Sequence, residues 1–130
     1  NDICHRYRCD SYEDALQPAL YRRWQAKGLA DAVITSPWAR VADVAAPLAV
    51  EFAGRVACML LPGSFLVEAN EPRSQWLASL KAAGRIFCTL GLPSGPKGYK
   101  CMWLCVFRNR ELRDAMVTPG MLKHRYVTWD

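Results

Sequence analysis

Hydrophobic positions along the chain fall into segments of two periods that alternate. In residues 13–27, EDALQPALYRRWQAK, the side chains of Ala15, Leu16, Ala19, Leu20 and Trp24 recur at helical spacing; Pro18 sets a break or a first turn, and Gly28 suits a C-cap. Ala32-Val33-Ile34 is short, uncharged and β-branched, which predicts a strand over 32–35 buried on both faces. Ser36-Pro37 ends that strand, because proline brings no N–H to a ladder and restricts the residue before it. Residues 41–54, VADVAAPLAVEFAG, predict an apolar helix that contains Pro47 and stops at Gly54. The run VACMLLP over 56–62, closed by Pro62-Gly63, has the pattern of a central buried strand and completes a βαβ unit.

The second half continues the alternation. Residues 71–83, EPRSQWLASLKAA, predict the clearest helix, with Pro72 in its first turn, Trp76, Leu77 and Leu80 on one side, and Gly84 at its end. RIFCTLGL over 85–92 and CMWLCVFR over 101–108 flank PSGPKGYK, whose prolines and glycines suit an exposed loop between neighbouring antiparallel strands. A charged helix-like segment over 111–116 precedes VTPG and a basic tail that ends in Trp129. This order predicts a single α/β domain over 1–130, a Rossmann-like three-layer sheet that is mostly parallel with an antiparallel edge strand.

Composition narrows the picture only a little. At 130 residues, 52% hydrophobic and 22% charged, the chain has the make-up of one globular core and not of a disordered segment. No apolar run nears the roughly 20 residues that span a bilayer, so the expectation is a cytoplasmic protein without a membrane partner. Lys and Arg outnumber Asp and Glu by 17 to 12, and the net charge of +5 is compatible with a polyanionic partner. The basic residues come in small groups, which an ordinary solvated surface explains equally well. Of the six cysteines, Cys58, Cys88, Cys101 and Cys105 sit in strand-like runs and read as buried thiols. Cys4, His5 and Cys9 cluster, but no second pair completes four ligands, and no metal is expected.

Candidate chemistry concentrates in residues 31–40, DAVITSPWAR, where the strand ends in a polar turn with a rigid proline and an aromatic. In open α/β sheets ligands bind beyond the carboxyl ends of the strands, so this turn is a candidate pocket edge. An ordinary strand-to-helix turn with Trp38 packed inward is the alternative. With Asp31 ahead of the strand and Thr35-Ser36-Pro37-Trp38 after it, the chain resembles the S-adenosylmethionine-dependent amino-methyltransferases of DNA, particularly the small phage and prophage enzymes. These carry Asp, Asn or Ser, then Pro-Pro and an aromatic, at this point. MLLPGSFL, SQWLASL and GLPSGPKGYKCMWLCVF are similar to the family's next strand and exit loop, its following helix, and its closing glycine-rich loop with an antiparallel strand. The resemblance covers roughly residues 2–108.

The resemblance implies a methyltransferase acting on adenine N6 or cytosine N4. Ser36, or Thr35 in its place, would accept a proton of the amine together with the Pro37 carbonyl region, and Trp38 would stack on the base. Asp2 would hold the cofactor ribose and Asp10 would lie near its adenine. Candidate phosphate contacts on DNA are Arg40, Arg73, Lys97 and Lys100, near the strand ends. Two departures from the family are visible. The turn has one proline where the family has two, and no glycine-rich strand-turn precedes Asp2, as though the chain were entered partway through an α/β unit. A homodimer or a partner chain would then complete the cleft. The alternative function is a catalytically inactive, methyltransferase-like binding or regulatory module that contacts DNA or another protein.

Overall fold

A computed structural model describes residues 16–28, 30–66, 70–91, 101–117 and 126–129. The elements in chain order are α1 (Pro18–Gln25), β1 (Ala30–Thr35), α2 (Ala42–Phe52), β2 (Ala53–Pro62), α3 (Glu71–Ala82), β3 (Ile86–Gly91), β4 (Cys101–Phe107), α4 (Arg110–Met116) and β5 (Tyr126–Trp129). A single 3-10 turn over Ala39–Val41 leads into α2.

The strands form one mixed α/β sheet in the order β1-β2-β4-β3-β5. β1 and β2 pair in parallel, whereas β2 with β4, β3 with β4, and β3 with β5 are antiparallel. The expected mostly parallel body is therefore corrected: there is one parallel ladder, and the reversed strand β4 lies inside the sheet, while β5 forms an antiparallel edge. Its position follows from the register, in which Cys58 and Cys88 flank Cys105 from opposite sides. β1, β2 and β3 nevertheless run the same way, because β4 is antiparallel to both of its neighbours.

Local sequence explains most element boundaries. Pro18 occupies the first turn of α1, where its missing N–H costs nothing. Asn70 caps α3 by accepting from the Arg73 N–H at 3.0 Å. At the other end of α3 the Gly84 N–H bonds the Lys81 carbonyl and the Arg85 N–H bonds that of Leu80, a closure that needs Gly84 at φ +72°. Asn109 caps α4 in the same way through the Leu112 N–H. Pro47 lies inside α2, as its sequence implies, but the helix stops at Phe52, and Gly54 is already part of β2.

The sheet packs its helices mainly on one face. Met59 and Leu61 of β2, Phe87 of β3, and Met102, Leu104 and Val106 of β4 join Ala42, Ala46 and Ala49 of α2 and Leu80 of α3 in the main core. Alternate residues on the same strands, Val56, Cys58, Ile86, Cys88, Cys105 and Phe107, face the other way, where Val117 at the end of α4 packs on them. Among the described residues the expected three layers thus reduce to one well-covered face and one thinly covered face. β1 differs from expectation too. It is an edge strand, and Ile34 is 72% exposed while Val33 packs on the core. Among the described residues no helix is long and apolar enough to cross a membrane.

Candidate functional site at the strand ends

β1 and β2 are parallel, so their carboxyl ends, Thr35 and Pro62, lie at the same edge of the sheet. From Thr35 the chain leaves through Ser36, exposed, and Pro37, half-buried, to Trp38, which is 85% exposed. Trp38 is extended, with φ −58° and ψ 144°, and its carbonyl accepts the Val41 N–H at 2.9 Å, so it fixes the start of the 3-10 turn. The turn is thereby held by backbone bonds while the indole stays in solvent.

Next to the turn, α1, β1 and α2 enclose an open cavity of about 320 Å³. Tyr21 and Trp24 of α1 and Phe52 of α2 line one side, and Val33, Ile34 and Thr35 line the other. Tyr21 and Phe52 meet edge to face at 5.1 Å, and Trp24 and Phe52 do so at 6.4 Å. The lining contains no charged side chain. An apolar, aromatic-walled space of this kind suits a flat ring or an alkyl group.

At the same end of the sheet, Arg73 organises the starts of α2 and α3. Its Nε and Nη2 donate to Oδ1 and Oδ2 of Asp43 at 2.7 and 3.0 Å, and Nη1 donates to the Phe65 carbonyl at 2.8 Å. The guanidinium carbon lies 4.1 Å from the Phe65 ring centroid. Phe65 in turn meets Trp76 edge to face at 6.5 Å. Arg73 thus ties the first turn of α2, the turn after β2 and the first turn of α3 together. Its hydrogen bonds hold the Asp43 carboxyl below the usual carboxylate range, against a partial desolvation that acts the other way.

Of the residues expected at the site, the structure brings Thr35, Ser36, Pro37 and Trp38 together by simple adjacency, and Arg40 follows them, exposed, in the 3-10 turn. Arg73 stands at the same end of the sheet but its guanidinium is directed at Asp43 and Phe65, with only 14% of the side chain exposed. Asp2, Asp10, Lys97 and Lys100 lie outside the described residues, as do Cys4, His5 and Cys9. Sequence reasoning missed Asp43 as the partner of Arg73, 30 residues away, and the aromatic wall of Tyr21, Trp24 and Phe52. An acid in the first turn of a helix is a common capping feature, and nothing local points to its distant partner. Comparison with known proteins gives no matching family model, no matching curated protein and no matching solved structure.

Proposed function

We propose that the chain is a methyltransferase-like domain that acts on an exocyclic amine of a DNA base, with S-adenosylmethionine as methyl donor. The observation that carries this reading is the turn after β1, which holds hydroxyls at Thr35 and Ser36, a proline and an outward indole at the carboxyl end of a parallel strand pair. The common direction of β1, β2 and β3, with the hairpin partner β4 reversed, also supports it, since the resemblance implies an antiparallel strand after the glycine-rich loop.

In this reading each residue of the turn has one task. An amine conjugated to a base is a poor nucleophile, so its hydrogens must be accepted while its lone pair is aimed. Ser36 or Thr35 accepts one hydrogen and the carbonyl of Pro37 accepts the other. Trp38 receives the ring of a base that has left the duplex, a step that stacking on an aromatic face favours. Arg40, exposed two residues later, contacts phosphate.

The described residues do not by themselves fit the whole cofactor. The cavity beside the turn offers aromatic walls but no charged partner for the methionine part, and the acids assigned to the cofactor, Asp2 and Asp10, lie outside the described residues. This uncharged lining favours a second reading, in which the chain grips nucleic acid without methyl transfer and a second copy or a partner chain completes any catalytic cleft.

Transfer of labelled methyl groups from S-adenosylmethionine to single-stranded and duplex DNA tests the proposal. Incorporation that is lost in Ser36→Ala or in Thr35→Val identifies the accepting hydroxyl. No incorporation by a folded sample that still binds DNA would overturn the enzymatic reading and leave the binding module.

A further inference from the structure

Three cysteines stand in a row across the middle of the sheet. Cys105 of β4 is the direct register partner of Cys58 on β2 and of Cys88 on β3. All three point to the face away from α2 and α3, among Val56, Ile86, Phe107 and Val117. Directly opposed residues in antiparallel ladders have Cα atoms about 4.5 or 5.5 Å apart, and both spacings fall within the roughly 4.4–6.8 Å that a disulfide bridges. All three are thiols in this structure.

Small buried cysteines often serve as apolar filler. Two observations set this row apart. The first is adjacency: the register sets Cys105 directly between Cys58 and Cys88 on one face, and interaction with Cys105 lowers Cys58 below the usual thiol range while Cys58, Cys88 and burial raise Cys105 above it. The second is graded access. Cys88 is 3% exposed, whereas Cys58 and Cys105 are half-buried on a face that, among the described residues, the helices cover thinly.

We propose that Cys58 and Cys105 are a peroxide-reactive pair that closes to a cross-strand disulfide while Cys88 remains a thiol. Cys58 attacks as thiolate on one oxygen of hydrogen peroxide; the O–O bond breaks, and the leaving hydroxide takes a proton to become water. Cys58 is then a sulfenic acid. The Cys105 sulfur attacks the Cys58 sulfur, the S–S bond forms and the S–O bond breaks. The second hydroxide leaves with the Cys105 proton as water. Two thiols and one peroxide thus give one disulfide and two waters, and a dithiol reductant reverses the change. The bond staples β2 to β4 on the face opposite the main core.

The test uses the full chain. It is treated with a small excess of hydrogen peroxide, blocked with N-ethylmaleimide under denaturing conditions, and mapped without reduction by tryptic mass spectrometry. The expected product has lost two hydrogens and links the peptide over 56–73 to that over 101–108, with fragmentation placing the bond on Cys105 and not Cys101. Cys88 carries the maleimide, and dithiothreitol restores the starting mass. The link is absent from Cys58→Ser and from Cys105→Ser and persists in Cys88→Ala. A principal link through any other cysteine, a link between chains, or sulfinic acid at Cys58 without a link would overturn the proposal. The wild-type map decides the matter even if a variant fails to fold.

Discussion

Replacing Arg73 by alanine distinguishes an internal clamp from a DNA contact. Three kinds of interaction disappear. The two-bond fork to Asp43 joins an Arg side chain 14% exposed to a carboxylate 47% exposed, so solvent screening limits it to about 1 kcal/mol. The Phe65 carbonyl, belonging to a residue 3% exposed, loses its donor at a cost of about 1 kcal/mol. The cation over the Phe65 ring adds about 0.5–1 kcal/mol. The sum is about 2.5–3 kcal/mol, and at about 4 °C per kcal/mol for a chain of this size, Tm falls by about 10–12 °C. Arg73→Lys keeps the charge and loses the fork, and its loss is about half as large. Urea unfolding followed by circular dichroism measures both, and DNA titration at several salt concentrations completes the assay. The clamp reading requires the salt slope of the folded variant to stay unchanged. A loss below about 0.5 kcal/mol, with a salt slope reduced by about one, would show that Arg73 contacts phosphate and would refute the clamp.

Other consequences are checked as simply. The hydrogen bonds from Arg73 lower the Asp43 pKa, so its contribution to stability is complete above the unfolded carboxylate range, near pH 4, and is lost as pH falls through the lower folded value. The difference in urea midpoint between wild type and Asp43→Ala should therefore narrow from neutral pH down to about pH 3. Leu104→Ala removes one of the most deeply buried side chains and should cost about 2–5 kcal/mol by urea unfolding. Gly84→Ala forces a Cβ into a φ of +72° at the end of α3, and although no atom lies within 4 Å of that Cβ, about 1 kcal/mol of stability should be lost. Trp38→Ala, at an 85% exposed position, should move Tm by less than about 2 °C.

The elements that could be read from the sequence are those whose boundaries are set locally. Pro72 and Gly84 bracket α3, and a continuous apolar run marks β2 as central; neither depends on distant residues. The direction of strand pairing is different, because PSGPKGYK says that β3 and β4 are neighbours but not that β4 inserts beside β2. β1 reads as doubly buried in the sequence because a short β-branched run looks the same at an edge as in a centre. β5, the four residues YVTW in a basic tail, has strand-forming side chains but is too short to stand out. At the site, the turn over Thr35–Trp38 was legible because proline punctuates it, whereas the Arg73–Asp43 clamp spans 30 residues and exists only once α2 and α3 are packed.

The enzymatic reading depends on Trp38 seating an unstacked base. The most direct measurement is a fluorescence titration of a single-stranded oligonucleotide carrying 2-aminopurine into the wild-type chain and into Trp38→Ala, with circular dichroism to show that both are folded. The expected result is salt-sensitive binding with quenching in the wild type, and affinity weakened about 5- to 150-fold in the variant, the equivalent of about 1–3 kcal/mol for one base–aromatic stack. Equal affinity and equal quenching in the two proteins would contradict the central claim.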